Sequence, residues 1–193
     1  MLERRVVAAL VVAIAAAGCS DGDDDTPDRA ATTTSIVAGP LCDLLPSGDD
    51  PGAPETLTDD PADVALQWIP VVTTFEAAVR AAGLADDLRR AEGVTILAPT
   101  DDAFAAAFDR QTLDDLLLKR KRELRTLLEG HIIDGSLSLA DLRDAANVTT
   151  RGGDTITVAP AGAMVRFDDR ATTVCADYAV ANGRIHVIGG VLR

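Results

Sequence analysis

The sequence predicts an α+β domain, and three observations lead there. Apolar residues recur at helical spacing between Pro61 and Glu129, short β-branched runs take over from His131, and glycine, aspartate and asparagine pairs punctuate that second half. Helices first and strands afterwards is the pattern of an α+β fold, whereas a doubly wound sheet alternates the two.

Pro61–Gln67 reads as a short helix, because Asp59 and Asp60 precede a proline suited to a first helical turn and Pro70 bars its extension. Val72, Phe75, Ala78, Val79 and Ala82 recur at three and four residues, which is one buried face of a second helix. Gly83 suits the left-handed closing position with Leu84 as its apolar companion, and Leu84 to Arg90 adds another turn or two. Val94–Ala98 is a short buried strand ended by Pro99. The Thr100 hydroxyl then caps a helix whose first turn carries Asp101 and Asp102, where the helix dipole favours negative charge, and Phe104 and Phe108 face the core from it.

Thr112 opens a helical piece with Leu113, Leu116 and Leu117, and a further helix runs from Glu123 to Glu129. Lys119–Arg122 lies between them among Asp114, Asp115, Glu123 and Glu129, the setting of a solvated surface turn. After the strand-like His131–Ile133 and the Asp134-Gly135 turn, Ser138 and Asp141 have the spacing of a capping box. Strand-like runs come next at Val148–Thr150, Thr155–Val158, Met164–Phe167, Thr172–Val174, Tyr178–Val180 and Arg184–Ile188, with turn signals at Gly152-Gly153, Gly162, Asp168-Asp169 and Asn182-Gly183.

The N-terminus carries a different message. Arg4 and Arg5 precede an apolar run from Val6 to Ala17, and small residues lead directly into Cys19. This is the layout of a secretory signal, too short for the ~20 residues that an ordinary membrane-spanning helix needs. The Ala-Ala-Gly-Cys ending resembles a bacterial lipobox with Ala16 in the place of the usual large aliphatic residue, which makes residues 1–18 a lipoprotein signal peptide and Cys19 the site of lipid attachment. The chain is then held at the outer face of the cell membrane through that anchor, or secreted where cleavage occurs without lipidation.

Residues 19–40 open with an aspartate-rich stretch that gives way to Thr, Ala and Ser, a composition unable to bury enough surface to offset ordering entropy, so a flexible acidic tether is expected ahead of a single domain over 41–193. The aspartates lack the spaced pattern of a calcium loop. Cleavage removes Glu3, Arg4 and Arg5 and takes the formal net charge from -13 to -14, which argues against nucleic acid and anionic lipid surfaces as partners. With Cys19 acylated, Cys42 and Cys175 remain as an even pair, and an exported compartment favours their union over two free thiols.

Three segments now carry a resemblance. Val94–Phe104, with its Ala-Pro-Thr step into a capped helix, is similar to the first signature of the fasciclin domain. Leu127–Gly135 resembles that family's central histidine segment, and Asn182–Ile188 with the nearby Val191-Leu192 resembles its terminal signature. The small mycobacterial surface and secreted fasciclin antigens, some of them lipoproteins, place cysteines similarly to Cys42 and Cys175, which implies a disulfide between the two. The implied fold is a wedge-shaped, seven-stranded β-sandwich with packed α-helices. The sequence departs from the family at Gly130, where a tyrosine usually precedes the histidine, and at Gly189, where an acidic residue usually comes after Val-Ile. Adhesion sequences of eukaryotic members therefore do not carry over.

No converging catalytic set can be assembled. His131 and His186 sit in apolar runs and read as hydrogen-bonded structural imidazoles, and no nucleophile elbow, zinc helix or phosphate loop occurs. The expectation is a protein that is not an enzyme and needs no cofactor or metal. Its leading role is recognition of an extracellular protein or cell-envelope glycan; an envelope scaffold without a host partner and a carrier of a small apolar ligand are the alternatives.

Overall fold

The computed structural model describes residues 37–193; the expected signal segment 1–18, Cys19 and tether residues 20–36 lie outside the described residues. Among the described residues seven α-helices form: α1 Ala62–Ala65, α2 Thr73–Ala81, α3 Ala85–Arg89, α4 Asp101–Ala107, α5 Arg110–Leu118, α6 Lys121–Glu129 and α7 Leu139–Asp144. The strands are β1 Val94–Pro99, β2 Ile132–Asp134, β3 Asn147–Thr149, β4 Thr155–Ala161, β5 Met164–Phe167, β6 Ala171–Val180 and β7 Gly183–Ile188. They hydrogen-bond in the order β2-β1-β7-β6-β5-β4-β3, with β1 and β7 parallel and every other neighbouring pair antiparallel. The expected seven strands with packed helices are thus present, as one continuous sheet that nearly closes. Beyond β3, the Arg151 N–H donates to the Ile132 carbonyl at 2.6 Å and the Gly152 N–H to that of Glu129 at 3.1 Å, tying the far end of the sheet back to β2.

Two apolar interiors result. Val94, Ile96 and Ala98 of β1 and Ile185 and Val187 of β7 pack with Phe75, Leu88, Leu124 and Leu128 from the helices. The intervening Leu97, with Ile133 and Ile188, joins Ile156, Val158, Val165 and Phe167 in the interior that the folded-over sheet encloses. All six residues of β1 are consequently buried, whereas β4 alternates between buried and exposed positions. A strand covered on both faces is apolar almost throughout, with Thr95 the polar residue in β1; one covered on a single face alternates.

Local chemistry explains the elements. The Leu84 N–H donates to the Val79 carbonyl and the Gly83 N–H to that of Arg80, the two bonds of a Schellman closure, with Gly83 at φ 72°. The Thr100 hydroxyl accepts from the Ala103 N–H, and Ser138 and Asp141 form both halves of the capping box.

Several expectations need correction. Residues 37–40, placed in the tether, instead pack on β6: Ala38 and Ala176 exchange backbone hydrogen bonds at 3.1 and 2.8 Å. Pro61 is the cap of α1 and not its first residue, and a 3-10 turn, Leu66–Trp68, completes that segment. Pro99 is the last residue of β1. Helix α4 stops at Ala107, so Phe108 leaves it in extended conformation and only Phe104 is a fully buried core residue. Asp109, not Thr112, opens α5, its carboxylate accepting from the Thr112 N–H at 2.8 Å. Lys121 and Arg122 belong to α6 and not to the turn before it. Finally, Thr172–Val174 and Tyr178–Val180 are the two ends of one strand, interrupted by register shifts around Cys175 and by Asp177 at φ 71°.

Candidate functional site

The three signature-like segments come together as neighbouring strands. Thr95 of β1 lies opposite Ile133 of β2, and Leu97 lies beside His186 of β7. Their polar groups are consumed internally. The buried Thr95 hydroxyl donates to the Gly135 carbonyl at 2.6 Å and accepts from the Leu137 N–H at 2.8 Å. Asn182 accepts from the Ala62 N–H at 2.9 Å and donates to the Leu88 and Ala91 carbonyls, pinning α1 and the end of α3 to the β6–β7 turn. A Cβ at Gly183 would collide with the Val94 carbonyl, so this close approach admits only glycine.

Both histidines are fully buried, and both act as two-sided staples. Since the Leu127 carbonyl can only accept, His131 Nδ1 carries the proton that donates to it at 2.8 Å, while Nε2 accepts from the Leu192 N–H at 3.0 Å. Burial pushes the His131 pKa down to about 4. His186 Nε2 likewise donates to the Leu137 carbonyl at 2.9 Å, and its Nδ1 accepts from the Asp177 N–H at 3.3 Å; burial lowers its pKa also. Neither ring has a nitrogen left for proton transfer, which is the structural role expected of them. Among the described residues, no cluster of His, Cys, Asp or Glu could hold a metal ion.

Cys42 and Cys175 are joined in a disulfide with Cα atoms 5.1 Å apart. The bond ties the start of the described chain to the bulged centre of β6. Of the basic cluster, Lys119 pairs with Asp115 at 2.7 Å and Arg120 pairs with Glu123.

What the sequence reading missed is a cleft of about 720 Å³ between α6 and the C-terminal segment. Its floor is Phe108, Leu116, Leu127 and Leu192, with Gly130 in one wall. The lining comes from five separate stretches of chain. The only sequence signal toward it was the departure at Gly130, which leaves the wall without a side chain. No helix among the described residues is long and apolar enough to cross a membrane.

Residues 70–193 match the family model of the fasciclin domain. Protein sll1483 of Synechocystis sp. is 35% identical over 121 residues, which is 62% of this chain and 66% of that protein. The uncharacterized protein sll1735 of Synechocystis sp. is 33% identical over 121 residues, covering 62% of this chain and 87% of that protein. The transforming growth factor-beta-induced protein ig-h3 of Sus scrofa is 30% identical over 117 residues, 61% of this chain but only 17% of its own length. The chain thus spans just under two thirds of sll1483 and a small part of ig-h3. A solved FAS1 domain pair from the insect cell adhesion molecule fasciclin I shares 27% identity at a TM-score of 0.49, over 62% of this chain and 44% of that one. With the family match extending over residues 70–193 and its signature segments lying side by side as β1, β2 and β7, the chain belongs to the fasciclin domain family.

Proposed function

We propose that the chain is a cell-surface lipoprotein, cut before Cys19, whose single fasciclin domain recognises an extracellular protein or a cell-envelope glycan. The observation that carries this reading is the fasciclin match over residues 70–193 behind an N-terminus ending in Ala-Ala-Gly-Cys. Fasciclin domains are associated with cell adhesion or binding, are typically non-enzymatic and are usually extracellular or secreted. The two satisfied imidazoles support a binding module in preference to an enzyme, and an acidic chain of formal net charge -13 supports partners other than nucleic acid.

Anchor and recognition are separately testable. Metabolic labelling with a palmitate analogue should mark the wild-type chain and not Cys19→Ser, which should also leave the membrane fraction; unchanged labelling in the variant defeats the anchor. The soluble Cys19→Ser chain, presented to cell-wall glycans and to matrix proteins, should bind one set saturably. Binding to neither would count for an envelope scaffold and against recognition.

A further inference from the structure

We propose that the cleft between α6 and the C-terminal segment is a binding site for an anionic amphiphile, a molecule with an apolar body and one compact acidic head such as a carboxylate. At about 720 Å³ the cleft has the size of small-molecule sites, which run from ~300 to ~1,000 Å³ and combine an apolar floor with a few placed polar groups. Phe108, Leu116, Leu127 and Leu192 provide that floor. Phe108 is available because α4 ends one residue before it.

The rim supplies the charge. Arg122 and Arg193 both line the cleft, and among the described residues neither has a carboxylate partner. The contrast with their surroundings is informative. On either side of Arg122, Arg120 is paired with Glu123 and Arg125 with both Asp87 and Glu129. Glu123 is therefore already neutralised, which leaves two guanidinium groups without a side-chain carboxylate partner among the described residues, against the single remaining side-chain carboxylate of Asp154. The Arg193 guanidinium stands 5.0 Å above the Phe108 ring, so a cation sits directly at the edge of the apolar floor. In a chain of net charge -13, a local excess of arginine over an apolar surface selects an acidic head on an apolar body.

The cleft is also preformed. Its C-terminal wall is held by the Leu192 N–H bond to His131 and by the Arg170 guanidinium on the Arg193 carbonyl. The inference goes beyond the macromolecular recognition proposed above, because a domain that binds a glycan or protein on another face retains this cleft.

The test titrates the soluble Cys19→Ser chain calorimetrically with dodecanoate and with dodecyltrimethylammonium, both below their micellar concentrations. Saturable binding of one dodecanoate per chain is expected, weakened tenfold or more by Arg122→Glu, with the cationic probe not weakened by that change. Thr126→Trp, at an exposed position of α6 on the cleft, should abolish binding while leaving the circular dichroism spectrum unchanged. Absence of saturable dodecanoate binding overturns the proposal, as does equal binding of both probes with no response to Arg122→Glu.

Discussion

The two halves of the sheet are buried in different ways. In β1 and β7 the helices cover one face and the inner core covers the other, so Val94 through Pro99 is buried without a break. In β4, Thr155 and Thr157 face solvent while Ile156 and Val158 face inward. The hairpins of this outer half turn on positions that tolerate left-handed backbone, Gly162 at φ 65° and Asp168 and Asp169 at φ 49° and 55°. In the helix-backed half the buried Thr95, His131 and His186 and the half-buried Asn182 each bind two or more backbone groups. The segments that make the family recognisable are those where burial leaves least freedom.

Three measurements would sharpen or break this contrast. The largest effect is expected from the disulfide, which closes a sequence separation of 133 residues and anchors in the helix-backed core through Cys175. Replacing both cysteines by alanine should lower unfolding stability by ~5 kcal/mol in the chain-entropy account. Hydrogen exchange should then accelerate in β6 and β7 before β4; a uniform acceleration would show that the halves do not open separately. Next, Ile185→Ala, buried in the helix-backed core, should cost about 4 kcal/mol in urea unfolding, and Ile156→Ala in the one-faced strand about 2 kcal/mol. Equal losses would remove the distinction in packing.

Acidification comes third. His131 is neutral in the folded protein down to about pH 4, whereas the unfolded chain protonates it near 6.5. The unfolded state therefore binds more protons between those values, and stability falls as pH drops through that window, by about 3 kcal/mol for this one group. Urea midpoints at pH 7, 5.5 and 4.5 should decline in that order, and His131→Gln should flatten the decline.

Much of the helix-backed half was legible because its signals are local. The spacing of Val72, Phe75, Ala78 and Val79, the Gly83 closure, the Thr100 cap and the Ser138–Asp141 box each involve residues a few positions apart, and each is realised. β6 was read as two strands because a non-glycine residue in left-handed conformation, Asp177, cannot be inferred from alternation. The anchor for that bulge is distant in sequence, the Leu139 N–H donating to Asp177 Oδ1 at 2.9 Å. Phe108 misled for a related reason, since helical spacing from Phe104 does not reveal that Asp109 starts a new helix directly afterwards. The cleft was hidden altogether: no short window contains both Leu116 and Leu192, and only the missing side chain at Gly130 hinted at open space.

The Cys42–Cys175 bond also decides how the domain carries tension. When the chain is pulled from its two ends, the covalent path enters at Cys42, crosses the bond to β6 and leaves through residues 176–193. All seven helices and strands β1 to β5 lie inside the closed loop, off that path. Stretching can release only the short segment that packs on β6 ahead of Cys42 and the last β-hairpin arm, the latter about 60 Å of extended chain at ~3.4 Å per residue, where an open chain from residue 43 would extend by about 500 Å. A domain closed this way yields by a short, bounded step and keeps most of its fold under load.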